Sequence, residues 1–138
     1  MKKKILITTQ SLEMGGVETA LLSLLKYLKS FDLDIDLYVL EEGTLREEYE
    51  KISSINIIPI KTPKNKLLCR VLKNILCKTL IKKYQKLNKK EYDISIAFYG
   101  INNYCDMFSA ALNAKEKFIW VHNNFETLYQ LSHHKNII

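Results

Sequence analysis

The sequence predicts an α/β fold, in the form of a doubly wound, parallel, Rossmann-like sheet of about five strands. Segments with strand-like patterns alternate along the chain with segments of helical periodicity. The length of 138 residues suits a single domain, and 47% hydrophobic residues with only 4 Gly and 2 Pro give a globular composition. These proportions exclude a disordered, collagen-like or low-complexity chain.

The first three elements have clear patterns. Lys4–Thr9 is a short apolar run, as expected of a central parallel strand that is buried on both faces. Apolar residues from Val17 to Leu28 recur on one face of a helix, and Glu18 in its first turn suits the positive end of the helix. Alternating apolar residues in Asp34–Leu40 indicate the second strand.

The rest of the chain continues the alternation of strands and helices. The predicted segments are, in order, a short helix Leu45–Ile52, a β-branched strand Ile55–Ile60, a long helical stretch of roughly Leu67–Asn88, a strand Asp93–Tyr99, a helix Tyr104–Leu112 and a strand Lys117–His122.

The positive charge is concentrated in one segment. The net charge is +6, yet residues 61–90 contain eleven of the 21 Lys and Arg residues and no acid, so the remainder carries −5. Within this segment the apolar residues before Cys77 and those after it lie on opposite sides of the predicted helix. Either the helix breaks near Cys77–Thr79, or its two halves pack against different surroundings.

Two interpretations of this basic segment remain. In the first, two short helices pack on the sheet and the lysines are solvated. In the second, an amphipathic helix rests its basic face on anionic lipid headgroups. Its membrane-facing residues would be Lys66, Arg70, Lys73, Lys78, Lys82, Lys83 and Lys86. Nucleic acid is not expected as a partner, because no aromatic residues are interspersed among the lysines for base stacking.

All four glycines follow predicted strands. Ligands of open α/β sheets bind outside the carboxyl ends of the strands, and this is where Gly15, Gly16, Gly43 and Gly100 would lie. Tight structural turns would place glycines at the same positions, so both interpretations stay open. Gly15 and Gly16 open a helix, where bare backbone N–H groups can approach a phosphate. The spacing is neither that of a P-loop nor that of a dinucleotide fingerprint.

His122 is the candidate catalytic residue. It ends an apolar strand at the predicted ligand edge, where a neutral imidazole can donate to or accept from a sugar hydroxyl. Alternatively, it only caps the strand. The candidate binding residues are Gly15, Gly16, Glu18, Gly100 and Asn123.

No metal site is expected from the sequence. The cysteines Cys69, Cys77 and Cys105 have no C-x-x-C spacing and are interpreted as small buried hydrophobes in a reducing compartment. His133 and His134 have no Cys or carboxylate neighbours. The apolar run after Lys2–Lys4 is too short for a signal peptide, and no segment approaches the ~18 apolar residues of a membrane span. We therefore expect a soluble, cytoplasmic protein.

Three segments together resemble the N-terminal half of family-4 glycosyltransferases, which have the GT-B fold. The segments are Lys4–Thr9 leading into Met14-Gly15-Gly16-Val17-Glu18, Tyr92–Ala97, and Phe118-Ile119-Trp120-Val121-His122-Asn123. The resemblance covers nearly the whole chain. The most similar members build bacterial capsular, teichoic or lipopolysaccharide glycans.

The resemblance implies a retaining transfer of a sugar from a UDP- or GDP-sugar to a glycan or lipid-linked acceptor held by this half. The glycine pair would approach the donor phosphate, and His122 the hydroxyls of the donor sugar. No covalently bound cofactor and no metal are expected. Family members often lie on membranes through basic helices of this domain, which favours a location on the inner face of the plasma membrane.

The family has its nucleotide-sugar site mainly in a second domain. Residues 1–138 would therefore be one incomplete GT-B N-terminal-like domain, without the C-terminal nucleotide-sugar domain, and inactive alone. Three interpretations then stay open: a truncated gene product, an isolated piece of a longer protein, or one half of a split enzyme whose partner is a separate chain. The alternatives are a non-catalytic module that binds a nucleotide or phosphosugar, and a domain that only contacts a membrane surface.

Overall fold

A five-stranded parallel sheet with helices on both faces forms the centre of the structure. The computed structural model describes residues 1–52, 54–61, 63–99 and 103–122. The strands are β1 (Lys3–Ser11), β2 (Leu33–Glu41), β3 (Ile55–Pro59), β4 (Tyr92–Ala97) and β5 (Ala114–Ile119). The helices are α1 (Gly16–Leu28), α2 (Arg46–Glu50), α3 (Lys66–Val71), α4 (Lys73–Leu87) and α5 (Asn103–Ala111). The predicted α/β, Rossmann-like fold is confirmed.

The strand order is β3-β2-β1-β4-β5, and every neighbouring pair is parallel. β1 is the central strand, because Ile5 is in register with Ile35 of β2 on one side and with Ile94 of β4 on the other. Alternate residues of β1 face opposite sides of the sheet, so Ile5 and Ile7 enter one core and Leu6 enters the other. The prediction of a strand buried on both faces is correct.

The two faces of the sheet carry separate cores. One core joins the sheet to α1 and α2 through buried residues that include Leu21, Leu25 and Tyr49. The other joins it to α4 and α5 through Leu80, Tyr84 and Phe108. The hydrophobic residues of α1 that the sequence placed on one face are those that pack against the sheet.

A buried polar cluster fixes β2 to the start of β4. The Tyr92 hydroxyl donates to Asp36 Oδ2 at 2.6 Å, and Asn56 Nδ2 donates to Asp36 Oδ1 at 2.9 Å. Lys90 Nζ lies 3.1 Å from Asp36 Oδ2 and 2.8 Å from Asp34 Oδ2. Burial lowers the pKa of Lys90, but the hydrogen bonds that its ammonium donates to the carboxylates of Asp34 and Asp36 outweigh this effect and leave the pKa raised. The buried Asp36 is therefore both paired and hydrogen-bonded.

The structure corrects two predicted boundaries. The long helix does not break near Cys77–Thr79, because the break lies at Leu72 and α4 runs unbroken to Leu87. Asn65 starts α3 by accepting hydrogen bonds from the N–H groups of the next turn. β5 begins and ends three residues earlier than predicted, since it pairs with β4 from Ala114 to Ile119.

Candidate functional site

The carboxyl ends of the strands meet at one edge of the sheet, as in any parallel sheet. At this edge β1 leads to the Gly15–Gly16 turn, β2 to Gly43, and β5 to Trp120 and His122. The structure thus places the glycine turn and His122 on the same edge. Gly100 and Asn123 lie outside the described residues, so their assignment stays a prediction.

His122 is half-buried and tied to the end of β4. Its Nε2 lies 2.8 Å from the carbonyl oxygen of Phe98. A carbonyl only accepts, so Nε2 donates and Nδ1 is the acceptor nitrogen of the neutral ring. The imidazole stacks on Trp120 with ring centroids 6.2 Å apart and meets Phe98 edge-on at 4.7 Å. These contacts fix the orientation of the ring.

The Gly15 turn is shaped by the carboxylate of Glu18. Glu18 is 7% exposed, and its Oε1 accepts a hydrogen bond from the Ser11 hydroxyl at 3.2 Å. A Cβ added at Gly15 would lie 2.5 Å from Glu18 Oε2, whereas one added at Gly16 would meet nothing within 4 Å. The carboxylate therefore folds back over the start of α1, and a phosphate at this turn would have to displace it or bind beside it.

Backbone contacts join the loop after β1 to the loop after β2. The Leu12 N–H donates to the Glu41 carbonyl at 3.2 Å, and the Leu45 N–H donates to the Leu12 carbonyl at 2.9 Å. A Cβ added at Gly43 would lie 2.2 Å from Glu13 N. Gly43 is thus required by close backbone approach, which supports the structural interpretation for this glycine.

His122 and β1 are connected through Phe98. The Phe98 N–H donates to the Thr8 carbonyl at 2.9 Å, and the Phe98 carbonyl accepts from His122. Phe98 thus links the central strand directly to the candidate catalytic residue. The sequence predicted that His122 is the last residue of β5. In the structure β5 ends at Ile119, and His122 lies three residues beyond it.

A cavity of about 500 Å³, here called the α3 cavity, opens at the same edge. Its lining residues are Gln10, Leu40, Glu41, Pro63, Lys64, Lys66, Cys69 and Tyr104. Neither His122 nor the glycine pair lines it. Of these residues only Lys66 was among the predicted site residues. Gln10, Leu40 and Glu41 stand at the ends of predicted strands, a signal that could have been used.

The outer surface of α3 and α4 combines exposed lysines with exposed apolar side chains. Leu67 is 70% exposed, Val71 73% and Ile75 66%. All seven predicted membrane-facing residues, Lys66, Arg70, Lys73, Lys78, Lys82, Lys83 and Lys86, are exposed. Lys73 Nζ also lies 5.6 Å from the ring centroid of Tyr104. We call Leu67, Val71 and Ile75 with these seven residues the basic-apolar surface.

The three thiols differ in burial. Cys77 is 2% exposed and Cys105 is 1% exposed, whereas Cys69 is half-buried and lines the α3 cavity. Burial raises the pKa of Cys77 and raises the pKa of Cys105 to about 12. The prediction that the cysteines are buried thus holds for Cys77 and Cys105 and only in part for Cys69.

The described residues contain no group of three or more His, Cys, Asp or Glu side chains arranged to hold a metal ion. None of the described helices combines the length and apolarity needed to cross a membrane. Comparisons with family models, curated proteins and solved structures give no match to this chain.

Proposed function

We propose that this chain is the acceptor-side half of a retaining glycosyltransferase that moves a sugar from a UDP- or GDP-sugar to a glycan or lipid-linked acceptor. One observation carries the proposal: an oriented imidazole, His122, lies at the carboxyl edge of a Rossmann-like sheet and is linked through Phe98 to the central strand. This edge is where ligands of open α/β sheets bind.

The transfer defines what the edge has to do. The bond between the anomeric carbon and the diphosphate oxygen breaks, the acceptor oxygen bonds to that carbon, and the acceptor's hydroxyl proton leaves with the diphosphate. His122 would accept a hydrogen bond from a donor-sugar hydroxyl at Nδ1, since its Nε2 is used by Phe98. Groups that stabilise the departing diphosphate are expected mainly in a second domain, so donor binding by this chain alone would be weak.

Saturation-transfer NMR with UDP-glucose and GDP-mannose tests the donor assignment. We expect weak binding of one nucleotide sugar, reduced about tenfold by His122→Ala, which corresponds to about 1.4 kcal/mol. Asn113→Ala, on the loop that precedes β5 at the opposite edge, should bind as the wild type does. Equal binding by His122→Ala would overturn the proposal.

A transfer assay separates the enzyme half from a binding module. Radiolabelled nucleotide sugar and an extracted glycolipid acceptor should give no product with this chain alone, and product once a separately expressed nucleotide-sugar-binding domain is added. Sub-micromolar binding of the nucleotide sugar by this chain, with no transfer under either condition, would instead identify a non-catalytic binding module.

A membrane-surface role is the second candidate, and the basic-apolar surface favours it. Lys78, Lys82 and Lys86 are spaced one helical turn apart along the exposed side of α4. On α3, Leu67 and Val71 are also one turn apart and face solvent. Cations that flank apolar side chains on one surface are typical of helices that lie in the headgroup region of anionic bilayers.

Vesicle co-sedimentation tests this role. Binding should require phosphatidylglycerol in phosphatidylcholine vesicles and should weaken with added salt. Lys82→Ala/Lys86→Ala should weaken it about 10- to 30-fold, since each lysine near an anionic surface contributes about 1 kcal/mol. Lys29→Ala/Lys51→Ala removes the same charge at the ends of α1 and α2 and should leave vesicle binding unchanged. Equal binding to neutral vesicles would exclude the role.

A further inference from the structure

The α3 cavity lies between the carboxyl ends of β1 and β2 and the segments that carry Pro63 and α3. Gln10 and Glu41 come from the strand ends, and Gln10 Nε2 donates to Glu41 Oε1 at 2.9 Å. Tyr104 of α5 contributes to the wall. Its floor is thus part of the sheet edge, and its rim is the start of the basic-apolar surface.

The charge of the rim favours an anion. Lys64 and Lys66 line the cavity, and Lys73 Nζ stands 5.6 Å from the ring centroid of Tyr104, so three cations lie at or beside it. The carboxylate in the lining, Glu41, is held by Gln10 on the sheet side. The backbone at the start of α3 is already capped, because Asn65 Oδ1 accepts from Leu67 N at 3.0 Å and from Leu68 N at 3.2 Å. Recognition of an anion would therefore fall to lysine side chains.

The helix that carries Lys66 also exposes apolar side chains. Leu67 follows Lys66 in sequence and is 70% exposed, and Val71 extends the same face by one turn. The cavity itself contains the apolar side chains of Leu40 and Pro63. A ligand that joins an anionic group to a hydrocarbon chain matches both parts of this surface, whereas a free phosphate or a nucleotide matches only one.

We propose that the α3 cavity binds the phosphate end of a lipid phosphate, with Lys64 and Lys66 contacting the phosphate and the hydrocarbon chain lying along the exposed face of α3. The assignment of this lipid as the sugar acceptor rests on the proposed function, but the binding site does not. Placed here, the phosphate would lie at the same sheet edge as His122.

Cys69 provides a direct readout, because it lines the cavity and is the most accessible of the three thiols. The full chain is treated with N-ethylmaleimide, and the modification of each cysteine is followed by mass spectrometry. Octyl phosphate, below its micelle concentration, should slow modification of Cys69 about tenfold when present at about ten times its Kd. Octanol and inorganic phosphate at the same concentration should slow it less than about twofold.

Matched variants assign the effect to the rim. Lys64→Ala/Lys66→Ala should lose the protection by octyl phosphate, while Lys82→Ala/Lys86→Ala, with the same loss of charge on α4, should keep it. Thermal unfolding checks that both variants fold. Retained protection in Lys64→Ala/Lys66→Ala would overturn the site, and so would equal protection by octanol or by inorganic phosphate.

These measurements distinguish a failure of the lipid-phosphate site from a failure of the glycosyltransferase proposal. Protection of Cys69 by UDP as strong as that by octyl phosphate would make the cavity a nucleotide site and overturn the lipid assignment. His122→Ala should leave the protection by octyl phosphate unchanged. If nucleotide-sugar binding fails while this protection persists, the glycosyltransferase proposal is wrong and the lipid-phosphate site stands.

Discussion

The hydroxyl of Tyr49 donates a 2.6 Å hydrogen bond to the backbone carbonyl oxygen of Glu18. Both residues are buried, with Tyr49 on α2 and Glu18 in the first turn of α1. α2 therefore supports the helix start whose carboxylate folds over Gly15. The geometry of the candidate site thus depends on a residue that does not line it.

Replacing Tyr49 with Phe should destabilise the fold. The substitution leaves the Glu18 carbonyl without this buried donor, which costs about 1–3 kcal/mol. Urea unfolding followed by circular dichroism measures the difference. The control is Tyr27→Phe, because Tyr27 is largely exposed on α1. This substitution should change the free energy of unfolding by less than about 0.5 kcal/mol. Equal stability of Tyr49→Phe and wild type would contradict the role given to this hydrogen bond.

Alanine at Gly43 should be costly, and alanine at Gly16 should not. The added methyl at Gly43 would collide with the Leu12–Glu13 backbone, and such overpacking costs about 1–3 kcal/mol. At Gly16 the methyl enters open space at the start of α1 and should stabilise the helix by up to about 1 kcal/mol. Thermal unfolding of the two variants tests the contrast, and a stable Gly43→Ala would show that the two loops can separate.

Buried tyrosines should make the protein sensitive to alkali. Burial and the hydrogen bond to Asp36 raise the pKa of Tyr92, and burial raises the pKa of Tyr49 and Tyr38. A raised pKa in the folded state means that the stabilisation is complete below the unfolded value of about 10 and is lost as the pH rises above it. The melting temperature should therefore fall as the pH rises above ~10.

Tyr92→Phe separates the two effects of this residue. At pH ~8 it should lower the free energy of unfolding by about 1–3 kcal/mol, because Asp36 loses a buried donor. Above pH ~10 its stability should decline less steeply than that of the wild type, because one raised pKa is gone. An unchanged alkaline slope would show that Tyr92 ionises in the folded state as readily as in the unfolded state.

Asp93 should give a small loss of stability in acid. The Lys115 ammonium at 2.7 Å and the Lys4 N–H at 3.0 Å lower the pKa of this carboxyl. A lowered pKa means that the stabilisation is present above the unfolded value of about 3.9 and is lost as the pH falls through the folded value. Asp93→Asn should flatten the plot of the free energy of unfolding against pH below pH ~4, and Lys115→Met should flatten it in part. If both variants kept the wild-type dependence of stability on pH in this range, the role given to Asp93 would be contradicted.

The order and type of the elements followed from the sequence because local pattern and global fold agree. The apolar run of β1 correctly indicated a central strand, and the leucine spacing of α1 indicated its buried face. Such patterns are reliable when an element has a single apolar face, because only that face can pack against the sheet. The paired βα units then fixed the parallel topology.

The long basic helix was harder to predict for a physical reason. Periodicity shows that two apolar stripes exist, but it does not show which of them faces the sheet. Leu80 and Tyr84 of the second stripe are buried, while Val71 and Ile75 of the first face solvent. The break at Leu72 likewise has no local proline or glycine to mark it.

The candidate site could be predicted only in part. His122 and the glycine pair were correctly placed at the carboxyl edge, because in a parallel sheet the residues that follow each strand all come to that edge. The fold-back of Glu18 and the contact between Gly43 and Glu13 could not be foreseen, because both depend on how loops pack together. The α3 cavity requires the position of α3, which sequence periodicity does not supply.

The outermost strand has a consequence for handling the protein. Within the described part of the chain, β5 pairs only with β4, and Phe118, Ile119 and Trp120 are about half exposed. An open strand edge with apolar side chains is a template for self-association. Lys115, Glu116 and Lys117 precede these residues in the strand and act as charged gatekeepers. Changes that neutralise this triplet would favour intermolecular β-pairing at high concentration, so preparations should keep it intact.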